Sequence, residues 1–183
     1  MLANYFIEMS NLPEREKWIL RRVILFFQNH DNLQKFLKIT QNTTRKKISL
    51  RLIDWFITNY CKKNYIVYQI KRDNLLNPQQ PYIELFSPYL KYKEYLSAYP
   101  KKLFDPFCRG NGILLDCRML DLPFLNSPDE PPIESFETAV CQLHFFKWAI
   151  ENEIIDYIEN HLEEIYEDMQ THCTRASTKK GGA

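Results

Sequence analysis

The sequence predicts a mainly helical α+β fold with about six helices and a small antiparallel sheet, and three observations carry that prediction. Apolar residues recur at helical spacing over long stretches near both ends of the 183 residues. Between them the period changes to short runs rich in β-branched and aromatic residues, Tyr65 to Ile70 and Tyr82 to Phe86. A hydrophobic fraction of 45% against 26% charged residues suits one globular domain with a substantial core and excludes a disordered or fibrous chain.

Taken in order, Pro13 followed by Glu14 and Glu16 reads as the first turn of a helix over 13 to 29. Proline lacks the donor that is orphaned there, and acids suit the positive end of the helix dipole. Its apolar residues, from Trp18 and Ile19 through Leu25 to Phe27, cover more than one face, so the helix is expected to lie deep with Arg21 and Arg22 on the exposed strip. Asp31 is expected to cap a second helix to about 40. Asn42-Thr43-Thr44 reads as a break, and a third helix covers 45 to 62 on the spacing of Ile48, Leu52, Trp55, Phe56 and Tyr60. Two strands follow, at 65 to 70 and 82 to 86. Ser87-Pro88 opens a fourth helix to about 98, which Pro100 stops. Strands near 113 and 133 complete one sheet, separated by an irregular loop over 121 to 132 that holds four prolines. The stretch 138 to 171 is helical, with a break expected at Asn152 because Asn tolerates a left-handed helix end and Asp156 with Glu159 has capping-box spacing. Helices are therefore expected over 138 to 151 and 157 to 170. The expected organisation is a single globular domain over 1–172, comprising a basic helical third (1–72), a middle (73–110) and an acidic helical end (111–172), followed by a flexible tail over 173–183.

The longest apolar run, Val23 to Phe27, is far short of the roughly 20 residues that span a bilayer. The start has no basic and apolar leader pattern, and Met-Leu is not a myristoylation signal. A soluble intracellular protein without a membrane partner is expected. Cys61, Cys108, Cys117, Cys141 and Cys173 show no Cys-x-x-Cys pair, and the four histidines show no ligand spacing, so reduced thiols, no metal and no cofactor are expected. No nucleotide loop, Ser/His/Asp pattern or paired-carboxylate site stands out. Cys108 beside Arg109, with His144 as a base, is the one nucleophile arrangement to weigh, and an inert cysteine beside a structural arginine is the better reading. The protein is expected not to be an enzyme.

Charge is distributed unevenly. Residues 1–72 carry net +9, residues 73–110 net +1 and residues 111–183 net −9. Either the basic third is an electrostatic footprint for phosphate backbone, or the basic and acidic parts neutralise each other. The candidate nucleic-acid contacts are Arg45, Lys46, Lys47 and Arg51 at the start of the third helix, where cations oppose the dipole, with Lys62, Lys63, Lys71 and Arg72 after it. Three helices followed by two strands is also the order of a winged-helix module, although many small α+β folds share it. Phe104, Asp105, Pro106, Phe107 and Arg109 form a candidate structural turn, in which Asp105 caps amides and Arg109 meets either Asp105 or an outside phosphate.

Three blocks carry a resemblance. Ile48-Ser-Leu-Arg-Leu-Ile-Asp-Trp-Phe-Ile-Thr-Asn-Tyr60 with Lys62-Lys63-Asn64 is the first, and Tyr99-Pro-Lys-Lys-Leu-Phe-Asp-Pro-Phe-Cys-Arg109 the second. Gln142-Leu-His-Phe-Phe-Lys-Trp-Ala-Ile150 with Ile155-Asp-Tyr-Ile158 is the third. Together they resemble a functionally uncharacterised family of nucleocytoplasmic large DNA viruses, nearest in pattern to its small African swine fever virus member. The resemblance covers about 45 to 170 and implies a viral protein of the host cytoplasm, in virus factories, without implying an activity or catalytic residues. Joined with the charge map, it gives the expected function: a non-enzymatic viral accessory protein that binds nucleic acid or a nucleic-acid machine through its basic N-terminal third. The alternative is a protein-interaction or virion assembly module that uses the acidic C-terminal helices in a viral protein complex. Oligomeric state is left open.

Overall fold

The computed structural model of the chain describes residues 11–41, 48–74, 77–107, 109–116 and 135–178, the last six of them by backbone alone. The expectations for Asn42 to Thr44, for Cys108, Cys117 and the Cys173 thiol, for the proline-rich loop and for 179–183 lie outside these residues. The described residues form seven helices, one 3₁₀ turn and four strands, a mainly helical α+β fold. No helix among them is long and apolar enough to cross a membrane. Contacts divide the chain into two compact units, 1–44 with 98–150 and 45–97 with 151–183. Each unit therefore combines chain from the basic and the acidic parts of the sequence. The order of three helices followed by two strands is present, but the first two helices belong to one unit and the third helix with its hairpin to the other, so these elements do not form one winged-helix module.

In the first unit, helix α1 (Glu14–Phe27) starts after Pro13, with Glu14 and Glu16 in its first turn. Ile19, Leu20, Val23, Ile24 and Phe27 form its buried face. Trp18 and Leu25, expected inside, are instead 52% and 68% exposed, since a buried stripe at helical period leaves positions 18, 21, 22 and 25 on the far side. Helix α2 (His30–Thr40) is capped by Asn29, whose side chain accepts from the amides of Asp31 and Asn32 at 3.0 and 3.2 Å. Asp31, expected as the cap, is a first-turn acid. Strands β3 (Gly112–Asp116) and β4 (Ser135–Ala139) pair antiparallel, with Leu114 opposite Glu137. Helix α5 (Val140–Glu151) follows β4 directly and is buried on nearly every side, as its unbroken apolar sequence requires. Phe36 gathers this core, with Phe27 at 5.3 Å, Phe136 at 5.7 Å and Phe146 at 5.1 Å between ring centres.

In the second unit, a continuous helix α3 over residues 50–64 begins at Leu50, not 45, because Ser49 accepts from the Leu52 amide at 3.1 Å and closes the first turn. Its middle, Phe56–Tyr60, is a π-helical turn. It ends at Tyr65, which takes the left-handed conformation with φ 53°. Strands β1 (Tyr68–Arg72) and β2 (Tyr82–Phe86) form an antiparallel hairpin with Ile70 opposite Glu84. The first strand starts at Tyr68, not 65, because the left-handed end of α3 occupies Tyr65. The one sheet expected from four strands is therefore two separate two-stranded sheets, β1–β2 and β3–β4. Helix α4 (Pro88–Ala98) matches its expected span.

The acidic end breaks twice. Helix α5 stops at Glu151, and α6 (Ile154–Asn160) starts after Glu153 at φ 55°, so the left-handed residue is Glu153 and not Asn152. Asp156 lies in the first turn of α6 and is not its cap. A second break at His161 (φ −125°) precedes α7 (Leu162–Thr178), which carries helix six residues into the expected tail. Ile154, Ile155, Ile158, Ile165 and Met169 from these helices are buried, as are Leu52, Ile53, Phe56 and Ile57 of α3.

Candidate nucleic-acid interface

Helix α3 sets the geometry of the site. Its buried stripe fixes the opposite face, and its last turn presents Lys62 and Lys63 near the negative end of the dipole, where cations are favoured. Lys63 donates to Asp168 of α7 at 2.5 Å. The same carboxylate accepts from the Trp55 indole at 3.1 Å and lies 3.9 Å from the His172 ring nitrogen. Burial works against the charge of Asp168, but the bonds from Lys63 and Trp55 outweigh it and hold the carboxyl below its ordinary range. One turn along, Tyr60 donates its hydroxyl to Glu164. Burial, reinforced by that carboxylate, pushes the Tyr60 hydroxyl up.

Arg72, at the end of β1, is committed more completely. It donates to Glu84 on the neighbouring strand at 2.8 Å, to the Glu151 carbonyl at 2.8 Å and to the side-chain oxygen of buried Asn152. Tyr68 donates to the Asn152 carbonyl at 2.7 Å. The α5–α6 break is therefore tied to the hairpin by an arginine and a tyrosine. Tyr157 stacks between Tyr68 at 5.0 Å and His161 at 4.2 Å and also meets Phe56 at 5.3 Å. Cys61 is a buried free thiol whose pKa is raised by that burial, which makes it a packing group and not a nucleophile.

Of the eight candidate cations, Arg45, Lys46 and Lys47 lie outside the described residues. Arg51 is exposed in the first turn of α3, and Lys62 is exposed with its ammonium 5.8 Å from the Tyr89 ring centre. Lys71 is exposed on the outer face of the hairpin, opposite Ile83. That face is otherwise uncharged: Gln69 pairs with Leu85, and Ile83 and Leu85 are 59% and 68% exposed. The structure thus brings Lys63 and Arg72 to the acidic end of the chain and leaves Arg51, Lys62 and Lys71 on the surface. Sequence reasoning placed Trp55 and Tyr60 on an apolar stripe and Asn152 at a helix break without giving any of them a polar partner, and it did not single out Glu164 or Asp168. The opposing charges of the two ends were the signal for these pairings.

The candidate turn lies in the first unit. Asp105 is buried and accepts from Arg109 twice, at 2.7 and 2.9 Å, and its backbone amide donates to the Cys141 carbonyl at 3.2 Å. Gln142 of α5 donates to the Pro106 carbonyl at 2.9 Å and accepts from Thr138 at 3.0 Å. The His144 ring nitrogen Nδ1 meets the Leu103 carbonyl at 2.9 Å, so it carries the proton there. Phe107 is partly exposed with the Arg109 guanidinium over its ring, while Phe104 and Pro106 are buried. Among the described residues no three His, Cys, Asp or Glu side chains converge to hold a metal ion.

Comparison with known proteins adds a family and no activity. A family of unknown function, DUF7197, matches residues 10–183. An uncharacterised protein, L507, of Acanthamoeba polyphaga mimivirus is 38% identical over 133 residues, which are 73% of this chain and 46% of that protein. The chain thus spans less than half the length of this relative. No solved structure matches.

Proposed function

The chain belongs to the DUF7197 family of unknown function, and from that premise we propose that it is a non-enzymatic viral accessory protein that works by binding other proteins. We place it among the large DNA viruses, African swine fever virus among them, and in the cytoplasmic factories of the host cell. What carries the protein-binding reading is the commitment of two of the five described candidate phosphate contacts to acceptors of the chain itself. Lys63 is held by Asp168, and Arg72 is held by Glu84, Asn152 and the Glu151 carbonyl. A guanidinium with three protein acceptors keeps two of its five N–H donors, and turning its fork squarely onto a phosphate would break bonds that each contribute about 1.5–3 kcal/mol.

Nucleic-acid binding is the second reading, favoured by the surface exposure of Arg51, Lys62 and Lys71 and by the exposed ring of Tyr65, two residues after Lys63 in sequence. Aromatic rings flanked by cations suit single strands, on which bases stack. The two readings separate in fluorescence anisotropy of the full chain with labelled single- and double-stranded oligonucleotides at physiological salt. Protein binding as the function predicts affinities no tighter than the non-specific range, about 10⁻⁴ to 10⁻⁶ M. A tighter complex would put nucleic acid first.

A further inference from the structure

Two helix faces on this chain are complementary in charge and alike in spacing. On α1, Trp18, Arg21, Arg22 and Leu25 are all exposed, at positions i, i+3, i+4 and i+7 of one helix side. On α7, Glu163, Tyr166, Glu167 and Gln170 are exposed at the same four offsets. Each strip is about 10 Å long at the helical rise of about 1.5 Å per residue. The α1 strip pairs two apolar anchors with two arginines, and Arg22 lies 4.9 Å from the Trp18 ring centre. Of the nearest acids on α1, Glu14 is bound by Lys17 at 2.6 Å and only weakly attracts Arg21, and Glu16 is buried. The α7 strip carries two carboxylates around a half-exposed tyrosine, and among the described residues neither Glu163 nor Glu167 is in an ion pair.

We propose that the α1 strip of one copy docks on the α7 strip of a second copy of this chain. The inference rests on the protein-binding reading and names the partner. Like charges exclude the two symmetric alternatives, since α1 on α1 would face four arginines and α7 on α7 four glutamates. The contact is therefore between two different surfaces and repeats head to tail, closing into a ring or continuing as a chain. Exposed ion pairs add little adhesion. Trp18 and Leu25 against Tyr166 supply the apolar contact, and the charges set which faces meet and how the contact responds to salt.

Sedimentation velocity of the full chain over a concentration series, at about 50 mM and about 500 mM salt, tests this. The expected result is a mass that rises with concentration at low salt and falls toward the monomer at high salt. R21E/R22E alone and E163K/E167K alone are each expected to stay monomeric. An equimolar mixture of the two should reassemble, because each then offers the charge the other lacks. All these residues are exposed, and W18Q, which changes no charge, serves as a second variant that should weaken assembly at least several-fold. A monomer at every concentration, or an oligomer that survives both charge reversals, overturns the proposal. A monomer that still cross-links to other proteins in infected cells would remove self-association and keep the protein-binding reading. A chain that binds only nucleic acid, with binding lost in R21E/R22E, would remove both.

Discussion

Lys63 and Asp168, 105 residues apart in sequence, meet at 2.5 Å in the second unit, where the basic third of the chain supplies the ammonium and the acidic end the carboxylate. Because Asp168 is held below its ordinary range when folded, its contribution to stability is present above the unfolded value, about 3.9, and is lost as pH falls through that value toward the folded one. The expected outcome is that Asp168→Asn lowers stability at neutral pH by about 1–2 kcal/mol, given the half-exposed lysine. The difference from the parent should shrink below about pH 4. Urea melts across that range check it, and a constant difference down to the lowest pH would remove the charge from the explanation.

Asp105 and Arg109 show an asymmetric pair. The carboxylate side chain is 6% exposed and the guanidinium 62%. Arg109→Met leaves a charge in a place water cannot reach, whereas Asp105→Asn leaves one that water hydrates readily. Arg109→Met is therefore expected to cost more than Asp105→Asn, about 2 kcal/mol against about 1 kcal/mol. Thermal melts of both variants decide the order, and the reverse order would show that Asp105 is kept by its backbone contacts alone.

Arg51, Lys62, Lys63 and Lys71 are the exposed members of the described candidate phosphate contacts, and Lys63 among them is held by Asp168. Residual oligonucleotide binding at low salt is expected to be insensitive to sequence, with a slope near one unit of log affinity per phosphate contact. R51E/K62E/K71E is expected to abolish it without lowering the melting temperature by more than a degree or two, because surface changes cost little. The same test applies to K46E/K47E/R51E, built on the start of the helix as the sequence reads it. Binding that both triple variants retain would remove the electrostatic account.

Legibility in the sequence followed the range of the interaction. Helices α1 and α4 and strand β2 appear close to where periodicity and caps put them, because a local pattern decides them. The π-turn at Phe56–Tyr60 leaves no such mark, since Leu52, Phe56 and Tyr60 recur at four-residue spacing in either helical form. Four strands were recognisable, but which strand pairs with which is settled by contacts distant in sequence, and two hairpins formed in place of one sheet. The break at His161 was hidden because Ile158, Leu162, Ile165 and Met169 continue one apolar stripe through it with no Gly or Pro. The cations were visible as a class, yet their partners came from α7 and the α5–α6 junction, about 80 to 105 residues away, and only the opposite net charges of the two ends hinted at that.

The junction between α5 and α6 gives the sharpest local test, because it was expected at Asn152 and is found at Glu153. Among the described residues only Tyr65 and Glu153 are non-glycine residues with positive φ. A left-handed conformation costs an L-residue about 1–2 kcal/mol, and glycine relieves it while losing about 0.4–1 kcal/mol through a freer unfolded chain. Glu153→Gly is therefore expected to raise stability by up to about 1 kcal/mol, or roughly 2–4 °C in melting temperature. Asn152 has the opposite expectation. Its side chain accepts from Arg72 and its carbonyl from Tyr68. Asn152→Gly removes the first of these bonds, relieves no strain and should cost about 1–3 kcal/mol. Asp156→Ala should cost about 1 kcal/mol, because it removes a carboxylate that suits the positive end of the dipole in the first turn of α6. Measured side by side, the order Glu153→Gly above the parent, Asp156→Ala slightly below it and Asn152→Gly lowest places the reversal of the chain at Glu153. A stabilised Asn152→Gly with a weakened Glu153→Gly would return the break to Asn152 and detach it from the arginine that holds the hairpin.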